Sequence, residues 1–175
     1  MSQSLGPLEL VGDRWIIGDP TRGKGSCVVL TRDGMEHHER GVPEAVAAVP
    51  WTRVVDLRVS GITRAWHTTR TMGVLDTLGN SYMGAGPRAC SVGAYVRHPY
   101  EGWSVVYTHH ERPYDYMHLY WLGDLFRKLS AAKAAHLLGD PDWVATAVAK
   151  LAAAPRWTLR PGRPVTALLA ALDVG

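Results

Sequence analysis

Between residues 103 and 138 the apolar positions change period. Trp103, Val105, Tyr107 and His109 alternate with Ser104, Val106, Thr108 and His110. That is the two-residue period of a strand, and its first face is large and mostly apolar. Beyond residue 115 the spacing lengthens. Met117, Trp121, Leu125 and Leu129 recur every fourth position, flanked by Leu122, Phe126 and Ala132, while Asp124, Arg127, Lys128 and Lys133 fall outside the stripe. The spacing predicts a helix from about residue 115 to 138. Asp115 is placed to cap its free amides, and Gly139 to end it in the left-handed region. Such a helix has to bury its stripe, and the sheet beside it is the nearest surface.

The chain upstream reads as a series of short strands. Residues 1–12 form a loose lead-in. Residues 14–17 and 26–31 are strands flanking a turn-rich loop, 18–25. The pair Asp33-Gly34 closes a hairpin whose return is 35–40. Residues 43–49 read as a short helix or an extended connection. Pro50 and Trp51 then open a strong strand through Val54, Val55, Leu57 and Val59. Further strands are expected over 63–70, 73–78 and 90–96, with the glycine-rich stretch 71–90 the least patterned. After the long helix, Asp140-Pro141 marks a second helix start. Trp143, Val144, Ala147, Val148 and Leu151 define its apolar face, and Pro155 ends it. Residues 157–160 read as extended, and 165–172 as a short apolar helix.

Strands first and helices after predicts an α+β fold. The expected form is a curled antiparallel sheet or partly open barrel of about six or seven strands. A long amphipathic helix caps it, and a short helical C-terminal tail follows. A meander of short strands curls because open edges are a liability. No repeat or linker divides the 175 residues. They read as a single domain, 1–175, made of the lead-in 1–12, the sheet and capping helix 13–138, and a C-terminal extension 139–175.

Composition narrows this further. A hydrophobic fraction of 46% with seven Trp supports a core, and a charged fraction of 20% argues against global disorder. No apolar run approaches ~20 residues, so no transmembrane segment is expected. The first residues lack the charged and apolar regions of a signal peptide. Cys27 and Cys90 allow at most one disulfide, a chain this size needs none, and a cytoplasmic location is the simpler reading. The net charge of +3 is spread along the chain, so nucleic acid ranks last among partners. Arg64, Arg70, Arg88 and Arg97 are the residues such binding would use.

Gly18, Gly23 and Lys24 nearly match a phosphate-binding P-loop. Gly25 stands where the motif needs Ser or Thr, and a strand follows where it needs a helix, so an NTPase is rejected. Arg22 and Lys24 remain as a cationic pair on a glycine-rich loop, a setting that attracts anions. Eight histidines raise the question of a metal. The His37-His38 and His109-His110 pairs point to opposite strand faces, and no HExxH or CxxC exists. No metal site and no cofactor are assigned. Both cysteines sit in apolar strand contexts and read as small hydrophobes. No nucleophile elbow exists, and no catalytic residue is assigned. Six of the seven tyrosines fall between 95 and 120, beside Trp103 and Trp121. The cluster reads as core or as a pocket lining, with Tyr100, Tyr114 and Tyr116, in turns, expected to be exposed.

Three features together resemble the pleckstrin-homology-like fold of small bacterial proteins, over roughly residues 10–138. They are Pro50-Trp51 leading into a Val/Leu strand, the early strand-turn-strand ending at Asp33-Gly34, and a last strand running into an amphipathic helix. The resemblance implies a binding role, toward lipids, peptides or proteins, with the early inter-strand loop contacting acidic ligands. The first functional reading is therefore a non-catalytic binding or protein-interaction module. It recognises a small anionic ligand or an acidic protein partner through Arg22 and Lys24. The alternative is a small enzyme or ligand carrier, with a cavity between sheet and helix lined by Tyr95, Trp103, Tyr107 and His109.

Overall fold

Six short strands run as one antiparallel meander: β1 (Ser4–Leu5), β2 (Leu8–Val11), β3 (Arg14–Ile17), β4 (Cys27–Leu30), β5 (Gly34–His38) and β6 (Ala47–Pro50). Three more, β7 (Val54–Ser60), β8 (Ser91–Val96) and β9 (Glu101–Val106), form a second antiparallel sheet. The computed structural model describes residues 3–63, 90–155 and 162–174. The fold is α+β, as the element order predicts, and neither sheet closes on itself. Among the described residues there are two sheets where one is expected. The break comes at Trp51, where the short 3-10 turn Trp51–Arg53 interrupts the strand. The buried Trp51 indole donates to Thr31 O at 2.9 Å, which pins the turn to the first sheet while β7 departs from it.

Residues 4–11, expected as a loose lead-in, are the paired strands β1 and β2. Leu5 and Leu8 are 0% and 1% exposed, so this hairpin is part of the core. Its strands are too short for a two-residue period to register in the sequence. Residues 47–50 settle as strand rather than helix. The strands expected over 63–70 and 73–78 and the extended piece at 157–160 fall almost wholly outside the described residues.

One extended run stitches the sheets together. Tyr107 N donates to Cys90 O at 3.0 Å, the last backbone link to the strand beside it. The next residue bonds to the loop residues beside the first sheet. Thr108 N donates to Ser26 O at 2.7 Å, and Asp19 N donates to Thr108 O at 2.8 Å.

Helix α1 (Tyr116–Ala131) starts where Asp115 Oδ1 accepts from Met117 N and His118 N, at 2.9 and 3.2 Å. Trp121, Leu122, Phe126 and Leu129 are fully buried, and the helix packs on β7 in one core with Leu57 and Val59. It ends at Ala131, not at residue 138. Lys133 takes φ +57° and donates to Ser130 O, and Ala134 N reaches back to Leu129 O at 2.8 Å. These paired reversed bonds close the helix. A 3-10 turn, Ala135–Gly139, follows. At Gly139 a Cβ would lie 2.6 Å from Thr31 O and 2.7 Å from Trp51 Nε1, so this glycine serves close packing rather than the helix stop.

Helix α2 (Pro141–Ala152) is capped by Asp140, with Pro141 in its first turn, and lies on β1 and β3. Trp15 Nε1 donates to Pro141 O at 3.1 Å. Helix α3 (Arg163–Ala171) packs on α1 and α2. It also corrects the placing of Asp124, which was expected on the polar side of α1 and is 2% exposed. Lys128 Nζ lies 2.9 Å from Asp124 Oδ2 and donates to Thr166 Oγ1 at 2.6 Å and to Gly162 O at 3.2 Å. Arg127 pairs with the other carboxylate oxygen. The start of α3 thus covers a face that α1 alone would leave in water.

Candidate functional site

The cationic loop between β3 and β4 is built rather than loose. Asp19 Oδ1 accepts from both Thr21 N and Thr21 Oγ1, at 2.8 and 2.7 Å. Burial pushes the Asp19 carboxyl up, but the two Thr21 bonds, with His110 and Arg22 nearby, hold it below 3.8 on balance. Gly25 N donates to Arg22 O, Arg40 N donates to Lys24 O, and the Arg40 guanidinium donates to Thr21 O. Gly25 has φ +61°, and a Cβ there would meet Pro20 O at 2.6 Å. Only glycine fits that position. Arg22 Nη1 donates to His109 O at 3.3 Å, so the loop is docked on the segment leaving β9. Lys24 is exposed and makes no side-chain hydrogen bond or ion pair among the described residues.

Against this loop sits a cluster of histidines and tyrosines. The His109 ring tilts against Tyr114, with centroids 4.7 Å apart. Its Nε2 is buried and has no hydrogen-bond partner among the described residues. Burial lowers the His109 pKa, and the Arg22 and Arg112 guanidiniums push the same way, against bonds to the backbone of Ile62 and His110. His110 Nδ1 lies 2.9 Å from Tyr114 Oη, and its Nε2 lies 3.4 Å from Glu9 Oε2. Arg112 Nη2 shares that carboxylate at 3.4 Å, and its guanidinium sits 6.0 Å from the Tyr114 ring centre. Burial is the largest cause of a lowered pKa at His110 too, so the imidazole is neutral at pH 7. Its partners then assign the tautomer: Nε2–H toward Glu9, and Nδ1 accepting from the Tyr114 hydroxyl.

Tyr107 is 2% exposed and donates from Oη to Ser60 O at 2.6 Å. Burial raises its pKa far above the usual 10, raises that of Tyr114, and pushes the Cys90 thiol to about 11. Nucleophilic cysteines need the opposite shift. Cys27 is also buried and free, and burial raises its pKa. Among the described residues no three of His, Cys, Asp and Glu converge as metal ligands.

The register separates the residues that the cavity reading put together. Tyr95 lies on the outer face of the second sheet, 48% exposed, and stacks on Tyr100 at 6.1 Å. Trp103 pairs with Ala94 and packs on the core, the face opposite Tyr95. Tyr107 is in the core, and His109 lies beyond the sheet beside Arg22. Tyr95 and Trp103 still border one groove of about 400 Å³ with Asp56, Arg58 and Gly93. Tyr100 and Tyr116 are exposed as expected, but Tyr114 is 2% exposed, because its amide donates to Ile62 O and its ring fills the space beside Gly61. Of the four arginines named for nucleic acid, Arg97 is bonded to Thr52 O, and the other three lie outside the described residues.

The sequence gives no sign of two pairings here. One is Glu9 with His110. The other is Ser26 with His37, whose Oγ and Nε2 are 3.0 Å apart. That second pair looks like an activated serine, but the Ser26 hydroxyl gives its proton to Val106 O at 2.8 Å. Glu39 approaches the same imidazole nitrogen, at 3.7 Å, rather than the far one. The imidazole therefore donates, and the Ser26 hydroxyl, through Val106 O, links the two sheets.

The chain matches no known family model, no curated protein and no solved structure. Among the described residues, no helix is long and apolar enough to cross a membrane.

Proposed function

We propose that this protein is a non-catalytic binding module that recognises carboxylate-rich surfaces of a partner through the loop carrying Arg22 and Lys24. The observation that carries the reading is the docking of Arg22 on His109 O. It fixes a guanidinium on the loop that also carries Lys24, whose exposed ammonium has no side-chain hydrogen bond or ion pair among the described residues, and Arg112 adds its positive charge near His109. A preorganised cation loses less entropy on binding than a loose one. The binding role expected of pleckstrin-homology-like modules supports the same reading. The neutral histidines and raised tyrosine and cysteine pKa values favour a structural role for the cluster beneath. Two buried free thiols suit a reducing, cytoplasmic setting.

The test is binding of a fluorescent hexaglutamate peptide. The parent chain binds it in low salt and loses affinity as ionic strength passes about 0.15 M, where the Debye length is about 8 Å. Arg22→Glu with Lys24→Glu weakens binding at least about tenfold, the 1.4 kcal/mol scale of a charge-assisted contact. Equal affinity in the parent and the double variant at low salt sinks the reading.

A further inference from the structure

A second, separate surface lies between α2 and α3. It is a groove of about 460 Å³, within the range of small-molecule sites, roughly 300–1,000 Å³. Leu151 and Leu168 make its floor and are buried. Ala154, Ala167, Ala171 and two prolines make its walls. Among the described residues, the charged ones lining it are Lys150 and Arg163, both exposed. Among the described residues, no carboxylate lines the groove and neither cation has a hydrogen bond or ion pair from its side chain.

These features ask for a ligand with two ends. An inorganic anion satisfies the cations but leaves the leucine floor in water. A neutral hydrocarbon covers the floor but leaves both cations unmatched. We propose that the groove binds a single-chain anionic amphiphile, a fatty carboxylate. Its chain lies on Leu151 and Leu168, and its carboxylate sits at Lys150 and Arg163. The charge selects and orients the ligand, while the chain supplies most of the affinity through apolar burial. This site uses none of the residues of the Arg22 and Lys24 loop, so it stands or falls separately from the reading above.

Laurate, titrated below its micelle concentration and followed by calorimetry, is the probe. Saturable binding at one site is expected. Shortening the chain from laurate toward octanoate weakens binding by up to about fourfold per methylene lost. Lys150→Glu with Arg163→Glu weakens it at least about tenfold without moving the melting midpoint, since both side chains are exposed. Ala167→Trp, a bulky group on an exposed wall, blocks it. Arg22→Glu with Lys24→Glu leaves it unchanged. The proposal is overturned by an absence of saturable binding, or by laurate affinity that survives the charge reversal or the tryptophan block. Binding of an acidic amphipathic peptide to this groove in place of laurate also overturns it.

Discussion

His110 is held between a phenol and a carboxylate: Nδ1 lies 2.9 Å from Tyr114 Oη, and Nε2 lies 3.4 Å from Glu9 Oε2. This bridge ties β2 to the segment after β9. Glu9 and Asp19 favour the charged ring, Arg112 and His109 oppose it, and burial decides the balance toward the neutral form. His37 and His109 are lowered for the same leading reason. Below their usual value of 6.5 the unfolded chain therefore binds more protons than the folded one, and stability rises with pH there. Stability should be complete above about pH 6.5 and fall as the pH drops toward the folded-state values. Urea midpoints measured from about pH 7.5 to 5 check this. Replacing the three histidines with Gln should flatten the profile, and a parent profile already flat over that range contradicts the account.

The thiols give a second expectation. Cys27 and Cys90 are buried and free, and Cys90 is pushed to about 11. Almost no thiolate exists at neutral pH, so a thiol reagent should label neither residue until the chain unfolds. Fast native-state labelling of either one reopens cysteine chemistry.

Removing the Trp121 side chain tests the helix stripe. The residue is 0% exposed in the main core. Trp121→Ala should cost about 3–5 kcal/mol, read from denaturant midpoints. An unchanged midpoint places the stripe elsewhere.

Gly139→Ala tests the junction of α1, α2 and the first sheet. The added methyl would meet Thr31 O, Trp51 Nε1 and Arg32 O within 3 Å. A loss of about 1–3 kcal/mol is expected, as for other overpacked sites. Gly102→Ala is the control, since nothing lies within 4 Å of its added Cβ. It should shift stability by no more than about 0.5 kcal/mol.

Local signals were legible in the sequence, and long-range ones were not. Asp115 and Asp140 cap their helices because a cap is a matter of two or three residues. The apolar stripe of α1 is likewise a property of one helix. Asp124 looks polar and exposed by the same rule, yet it is buried, because α3 arrives on that face from almost 40 residues away along the chain, with Lys128 bonded to Thr166. Tyr114 sits in a turn by local reading. Its burial depends on Gly61 and Ile62, which no spacing links to it. The candidate site has the same character. Arg22 and Lys24 stand out as a pair in the sequence, but the carbonyl that fixes Arg22 comes from His109.

The bond from Trp15 to Pro141 spans 126 residues. A chain made from its N-terminus has all of β1 to β6 by residue 50, but α2, which lies on β1 and β3, is made much later. At roughly 5–20 residues per second, Trp15 waits on the order of 6–25 s for its acceptor. Through that interval Leu5, Trp15 and Ile17, all buried in the finished protein, lack the helix that lies over their strands. The nascent first sheet is thus a sticky intermediate by construction. Slowed translation between residues 50 and 141 should lengthen its exposure and increase its demand for chaperones.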